Sequence, residues 1–285
     1  MKRAIFVFLT LLIGISAQAD RLDHMISPMS NFVNNEDPRI QSEARFHYAH
    51  HDIHEDFLTG GGDVNAYALQ LRYAVDERLA IIATKDGYID FNPKAGVPKD
   101  EGWADLEAGV KYAFHYNPSE GSIGTVALRY LIPTGDEEVF QGQGDGMLHP
   151  SVHGAWAFGE NINLMAGSGI RIPMDSKDST FWDFDFHADY RIPTDSGDFF
   201  PLVELNLINV VDGGKRLPIA DEGQDLFNFG SSAADGESIF TGTTGLRYRP
   251  VDDIDIGVAY QFPISSSDGN HIINYRWFAD LIFRF

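Results

Sequence analysis

The chain contains no cysteine among its 285 residues, which removes disulfide frameworks and thiol chemistry from consideration. Bases are scarce: 21 Lys and Arg stand against 42 Asp and Glu, a formal charge of −21. A surface of that sign repels a phosphate backbone and argues against nucleic acid as a partner. Past residue 19 no apolar run approaches the roughly 20 residues a membrane-spanning helix needs, so helical spans are excluded. A Gly-x-Ser-x-Gly nucleophile elbow is also missing, because Gly167-Ser168-Gly169 lacks glycines at the outer positions. No shift in composition marks a linker between domains.

The chain opens with Lys2 and Arg3, an apolar run from Ala4 to Ile15, and Ser16-Ala17-Gln18-Ala19. A basic start, a short apolar stretch and an Ala-x-Ala ending describe a secretory signal peptide, residues 1–19, cleaved after Ala19. Its removal takes away two bases and leaves a formal charge of −23. Residues 20–40 show no periodicity and contain Pro28, Asn34, Asn35 and Pro38. They are expected as a periplasmic segment leading to the mouth of whatever follows.

From residue 41 to residue 285 the chain alternates between apolar and polar residues, the period of an extended strand with one oily face and one wet face. Strands are expected at about 41–51, 64–74, 78–84, 103–116, 123–132, 148–158, 161–172, 181–192, 200–211, 238–249, 254–263 and 274–285. The last strand sets Tyr275, Trp277, Ala279, Leu281, Phe283 and Phe285 on one side. It resembles the terminal strand, ending in Phe, by which bacterial outer-membrane barrels engage the barrel-assembly machinery.

Twelve strands is an even number, as a closed bacterial barrel with both termini in the periplasm requires. Connections after the even strands are short (75–77, 117–121, 159–160, 193–198, 250–253), whereas those after the odd strands are mostly longer, 212–237 the longest. Short periplasmic turns alternating with longer outer loops is the transmembrane-barrel pattern. A soluble β-sandwich shares the alternation but does not account for aromatics at the ends of the oily faces, among them Tyr67, Tyr73, Tyr112, Phe114, Trp182, Tyr190, Trp277 and Phe285. Girdles at two membrane interfaces do. The expected fold is therefore all-β, a closed antiparallel transmembrane β-barrel in the outer membrane of a Gram-negative cell, with lipid and lipopolysaccharide as surroundings.

A phrase recurs at strand ends: Tyr130-Leu-Ile-Pro-Thr-Gly-Asp136, Ile170-Arg-Ile-Pro-Met-Asp175, Tyr190-Arg-Ile-Pro-Thr-Asp195 and Tyr260-Gln-Phe-Pro-Ile264. Proline cannot donate to a ladder, so it belongs where pairing stops. The first copy, with Gly142-Gln-Gly144 and Asp145-Gly146 after it, resembles a family of outer-membrane proteins named after a phenol-degradation pathway (the MetA-pathway family), most closely over residues 125–158. That resemblance implies transport of aromatic or other hydrophobic compounds and no particular ligand.

A charge facing lipid at mid-membrane costs roughly 2–4 kcal/mol, so parity directs the charged residues inward. The residues expected to line the lumen are Arg72, Asp105, Glu107, Lys111, Arg129, His149, His153, Asp183, Asp185, His187, Asp189, Arg191, Glu204, Arg276 and Asp280. Such an interior either lines a narrow aqueous passage for a small solute, gated by the 212–237 loop and favouring cations or neutral molecules, or interlocks as a plug in a structural barrel. A third reading is an outer-membrane hydrolase built on His149, Ser151 and Asn163, the residue order of the twelve-stranded outer-membrane phospholipase. The Asn-Gly-Arg context is missing, however, and Val152 and Trp156 hold the oily positions, which turns His149 and Ser151 to the lumen. His47, His50, His51, His54, Glu55 and Asp56 cluster in sequence without the spacing of a specific metal site. Acidic loop residues Asp136, Glu137, Glu138, Asp221 and Glu222 are placed to hold divalent cations near lipopolysaccharide phosphates. No cofactor, metal or catalytic residue is expected.

Overall fold

The alternation resolves into fifteen strand segments, which the computed structural model, describing residues 20–265 and 270–285, joins into one sheet closed on itself. In chain order they are β1 (Glu43–Ile53), β2 (Gly62–Ala74), β3 (Leu79–Lys85), β4 (Tyr88–Pro93), β5 (Asp100–Trp103), β6 (Leu106–Asn117), β7 (Ser122–Ile132), β8 (Met147–Phe158), β9 (Ile162–Pro173), β10 (Thr180–Tyr190), β11 (Ile192–Thr194), β12 (Gly197–Asp212), β13 (Ser238–Val251), β14 (Ile254–Pro263) and β15 (Tyr275–Arg284). Three staves of the barrel are interrupted, β3–β4, β5–β6 and β10–β11, so the segments make a closed 12-strand antiparallel barrel. Closure comes from β1, which pairs with β2 on one side and with β15 on the other, from Glu43 opposite Arg284 to Asp52 opposite Tyr275.

The expected signal peptide, residues 1–19, lies outside the described residues.

Burial is inverted relative to a soluble protein. Tyr73, Tyr112, Phe114, Phe158 and Tyr190 are exposed near the end of the barrel with the short turns, and Tyr67, Trp103, Tyr130, Trp182 and Trp277 toward the end with the long loops. Between them Val110, Val126, Leu128, Val152, Val203 and Val258 also face outward. A full ring of exposed apolar side chains is stable only against a medium that is itself apolar. The alternate residues on the same strands are buried and mostly polar.

Proline ends strands where the recurring phrase places it: Pro173 closes β9, Pro263 closes β14 and Pro133 follows β7. Pro193 instead sits in the short β11, opposite Asp198.

The structure corrects the strand reading around residues 85–117. The polar stretch 85–102, expected as a loop, is largely strand, with β4 and β5 pairing from Tyr88 opposite Trp103 to Phe91 opposite Asp100. A two-residue irregularity at Ala104-Asp105 shifts the parity, so Trp103 and Leu106 both point outward while Ala104 turns inward. A second irregularity, between Ala113 and His115, puts His115 outside next to Phe114. Bulges of this kind change which face a residue occupies without changing residue type, and periodicity alone does not reveal them.

Candidate functional site

Residues 20–42 have too few apolar side chains at regular spacing to join the sheet, and they run through the barrel interior. Two short apolar groups fix the segment. Leu22 and Met25 pack with Ala113, Ile123, Ala155 and Met165, and Ile26 and Met29 with Ala49, Phe200, Leu202 and Phe278. Polar contacts do the rest. Glu36 lies between Arg72 (2.6 Å) and Lys111 (2.7 Å), and Lys111 also donates to the Asp37 carbonyl. Arg72 continues to Glu43 at 3.0 Å. Burial alone would raise the Glu36 carboxyl, but the guanidinium of Arg72 and the ammonium of Lys111 hold it well below the usual range. Asp37 is held by Arg39 in the same way.

Further along the lumen the backbone N–H groups of Met29 and Ser30 donate to Glu204 at 2.8 and 2.6 Å, and Glu204 also meets His187 at 2.7 Å. His187 reaches Asp189 at 3.1 Å. Asn31 and Asn206 both donate to Asp185. On the opposite wall Glu107 faces Arg129 at 3.0 Å and His149 at 3.4 Å. Arg129 reaches over the segment to the carbonyls of Val33 and Asn34.

The end with the long loops is closed by an apolar layer. Phe140 from the 133–146 loop and Phe227 and Phe229 from the 213–237 loop stack against Phe57 and Phe91, with centroids 5.1–6.3 Å apart. Glu222, expected as an outer acid free to hold cations, is instead buried. It accepts from the N–H groups of Gly223, Phe229 and Ser231 and from the Ser179 hydroxyl, and so shapes the loop from within. Glu137 and Glu138 do stand exposed.

Of the fifteen residues singled out as lumen-facing, Arg72, Asp105, Glu107, Lys111, Arg129, His149, His153, Asp183, Asp185, His187, Asp189, Glu204, Arg276 and Asp280 are buried. They fall into separate groups. Asp105 caps the N–H groups of Gly135 and Gly142. Arg171 pairs with Asp183 at 2.8 Å. Arg276 binds Asp225 of the 213–237 loop and His51. Asp280 is shared by Arg45 and Arg247. Arg191 is the exception; it sits half-buried at the short-turn rim, 2.6 Å from Asp198.

Sequence reasoning passed over Glu36, Asp37 and Arg39, because nothing in an aperiodic segment says that it will fold inward. Arg247, Arg249 and Asp255 were also missed, although the two arginines share one face of β13 at alternate positions. That spacing was the available signal.

Two constellations read from the sequence do not assemble. Ser151 is 2.9 Å from His153, whereas His149 turns to Arg129 and Glu107 and Asn163 to Asp189 and the His24 carbonyl. The histidines near β1 also scatter. His47 stacks on Phe32 at 3.9 Å, His50 meets Asn65, His51 meets Arg276, and His54 lies at the surface beside Asp56. Among the described residues no group of acids and histidines could hold a metal ion.

No protein-family model and no curated protein matches the chain. Solved structures do. The COG4313 outer membrane channel from Pseudomonas putida F1 superposes with a TM-score of 0.63 at 12% identity, over 92% of this chain and 100% of that one. The NanC porin superposes with 0.52 at 10% identity, over 86% and 100%. The β domain of the Bordetella autotransporter BrkA gives 0.52 at 12%, over 86% and 99%. The fold is the outer-membrane β-barrel.

One group in the loop layer of this barrel titrates in an accessible range. Asp178, between β9 and β10, is bound by Arg216. Burial raises its carboxyl, Arg216 opposes the rise, and Asp175, Glu222 and Asp105 add to it, leaving it at about 6. For a carboxyl raised above its unfolded value, stability is greatest below the ordinary carboxylate range and declines as pH rises through about 6. Acidification through that value should protonate Asp178 and release Arg216. A carboxyl resonance with a midpoint near 6, absent in Asp178→Asn, is the expected observation; a midpoint in the ordinary range near 4 would show that the loop leaves Asp178 in water.

Proposed function

We propose that the protein is an outer-membrane channel for a small solute, exported by the cleaved peptide of residues 1–19 and closed in this state by its own residues 20–42. The observation that carries this reading is the way the interior is filled. Arg72, Lys111, Glu204 and Asp185 find their partners on the inserted segment. Taken alone, the wall facing residues 20–42 is therefore polar and suited to water. The likeness in fold to the Pseudomonas outer membrane channel and the NanC porin supports transport as the class. The resemblance to the phenol-degradation family supports an aromatic or hydrophobic solute, and the excess of acids supports cations among ions. Phe285, the most exposed of the large hydrophobics among the described residues, fits a strand offered to the barrel-assembly machinery. Glu137 and Glu138 suit divalent cations bridging to lipopolysaccharide.

The runner-up is a structural barrel that never conducts. Direct pairs within the wall favour it, above all Asp280 clasped by Arg45 and Arg247, of which Arg45 also donates to the Pro28 carbonyl of the insert.

The test is single-channel recording of the refolded chain in a planar bilayer under a KCl gradient. Discrete steps with a cation-selective reversal potential are expected. Silence at every voltage, both in the full chain and in one lacking residues 20–41, would sink the channel reading and leave the structural one.

A further inference from the structure

Strand β3 ends in an irregularity that redirects one cation. Ile82 and Thr84 are buried on the lumen side, so strict alternation would turn Lys85 out toward lipid. The register instead shifts between Ala83 and Lys85, setting Thr84 and Lys85 together against Glu107 of β6. A bulge re-aims a side chain, and Lys85 faces inward with 19% of its side chain exposed. There it finds no close partner. The Asp105 carboxylate stands 3.8 Å away, beyond hydrogen-bond range, and accepts from the N–H groups of Gly135 and Gly142 instead. Among the described residues no hydrogen bond reaches the Lys85 ammonium.

The other charges around it are matched. Arg171 pairs with Asp183, Arg216 with Asp178, Asp225 with Arg276 and Glu107 with Arg129. The second group left over is an amide. Gln224, in the 213–237 loop, is fully buried and has φ +56°, in the left-handed region where a non-glycine residue is uncommon. Arg171 donates to its backbone carbonyl at 3.0 Å, yet neither Oε1 nor Nε2 of its side chain has a hydrogen-bond partner. A buried amide left unpaired is costly, and here the loop backbone is held in an uncommon conformation to place it.

Lys85 and Gln224 line one cavity, of about 60 Å³, whose walls also include Phe140 and Phe227. At ~10–15 Å³ per water, it has room for a carboxylate and a water beside it. Lys85 also lines a second cavity, of about 80 Å³, bounded by Phe32, Val64, Ile89 and Phe278. The ammonium therefore stands where a polar chamber meets an apolar one.

We propose that the two chambers form one binding site for a small monocarboxylate with a short apolar tail. The carboxylate accepts from the Lys85 ammonium and from Gln224 Nε2, and a water donates to Gln224 Oε1. Hydrogen bonds between ionised groups are the strong ones, so an alcohol or amide of the same shape binds less well. A dianion is disfavoured, because the carboxylates of Asp105, Asp178 and Asp225 border the same chamber and only one cation there lacks a partner. The apolar chamber is about half the ~150 Å³ of a cavity that takes up benzene, which suits a tail of three or four carbons. As the solute of the channel this ligand rests on the channel reading, and it makes the chamber a local exception to the acidity of the barrel.

The experiment titrates carboxyl-labelled butyrate into the purified full chain in lipid nanodiscs, read by NMR, alongside KCl conductance of the same preparation. Saturable binding is expected, at least tenfold weaker for acetate, which lacks the tail, and for butan-1-ol, which lacks the charge. Lys85→Met keeps the length of the side chain and should weaken butyrate at least tenfold; heat-modifiable migration on gels shows that the variant is folded. A second variant addresses the other chamber. Ala49, which also lines the apolar cavity, enlarged in Ala49→Leu should bring butyrate down to the affinity of acetate and leave acetate unchanged. Butyrate binding indifferent to Lys85→Met, or no saturable binding because the chambers hold water only, would overturn the site. Conductance without butyrate binding would remove the site and leave the channel. Binding by a chain that never conducts would support the site and sink the channel reading, and absence of both would remove the two together.

Discussion

A chain lacking residues 20–41 should pass from closed, or briefly flickering, to sustained conductance in a KCl gradient, a change of several-fold in mean current. The deletion takes out the side chains of Leu22, Met25, Ile26, Met29 and Phe32 and the carboxylates of Glu36 and Asp37, which together fill the half of the lumen nearest the short turns. It removes four acids and two bases. Arg72 loses the Glu36 carboxylate while keeping Glu43, and Lys111 loses both Glu36 and the Asp37 carbonyl. The newly wet passage is therefore more positive than the filled one, and the reversal potential should move toward anions relative to any residual current of the full chain. An inserted, folded deletion variant that stays silent would show that the 213–237 loop alone closes the barrel. An unchanged reversal potential would show that Arg72 and Lys111 do not face the conducting path.

The largest effect on stability is expected from Asp280→Asn. Asp280 on β15 is clasped by Arg45 on β1 and Arg247 on β13, a span of four neighbouring strands with β14 between, and both guanidinium groups are almost fully buried. Gly257, its cross-strand neighbour, leaves room for the carboxylate, since a Cβ there would run into its oxygen. Neutralising Asp280 leaves two buried cations facing each other. Breaking a buried pair by removing one partner costs about 3–5 kcal/mol, and here a repulsion is added. Asp255 offers Arg247 only a distant alternative at 3.9 Å. The measurement is urea-induced unfolding in detergent micelles, read by gel migration. A variant with an unchanged midpoint would mean that water already solvates both arginines. The double variant Arg247→Met with Asp280→Asn should recover part of the loss, because it removes one of the two orphaned charges together with the carboxylate.

The wall was legible in the sequence because alternation is enforced there by two media. On β10, Trp182, Phe184 and Tyr190 must meet an apolar exterior and Asp183, Asp185, His187 and Asp189 must avoid it, so residue type reports facing directly. Where the backbone departs from period two, that link fails. Ala104 and His115 each lie at an irregularity, and a one-residue slip exchanges faces. The stretch 85–102 looked like loop because Asp86, Gly87 and Pro93 are turn-forming residues; here Asp86 and Gly87 form the interruption between β3 and β4, and Pro93 ends β4. The interior was legible as polar but not as paired. Which carboxylate meets which base depends on a segment with no periodicity and on Asp225, carried by a loop whose inward fold only the finished barrel imposes.

The closing ladder bears on how such a molecule can come into being. Glu43 pairs with Arg284, and Asp52 with Tyr275, so the ring is completed by contacts between residues more than two hundred positions apart. Loop-closure entropy must be met before contacts of that range return anything, which makes topologies of this kind slow to form. Until β15 arrives, β1 presents a free edge able to recruit other strands, while the segment that fills the lumen is already synthesised and waiting. The first residues of the described chain and the last ones are thus kinetically bound together. Spontaneous folding should be governed by the rate at which β15 finds β1, and a helper that holds that one edge would accelerate the whole barrel.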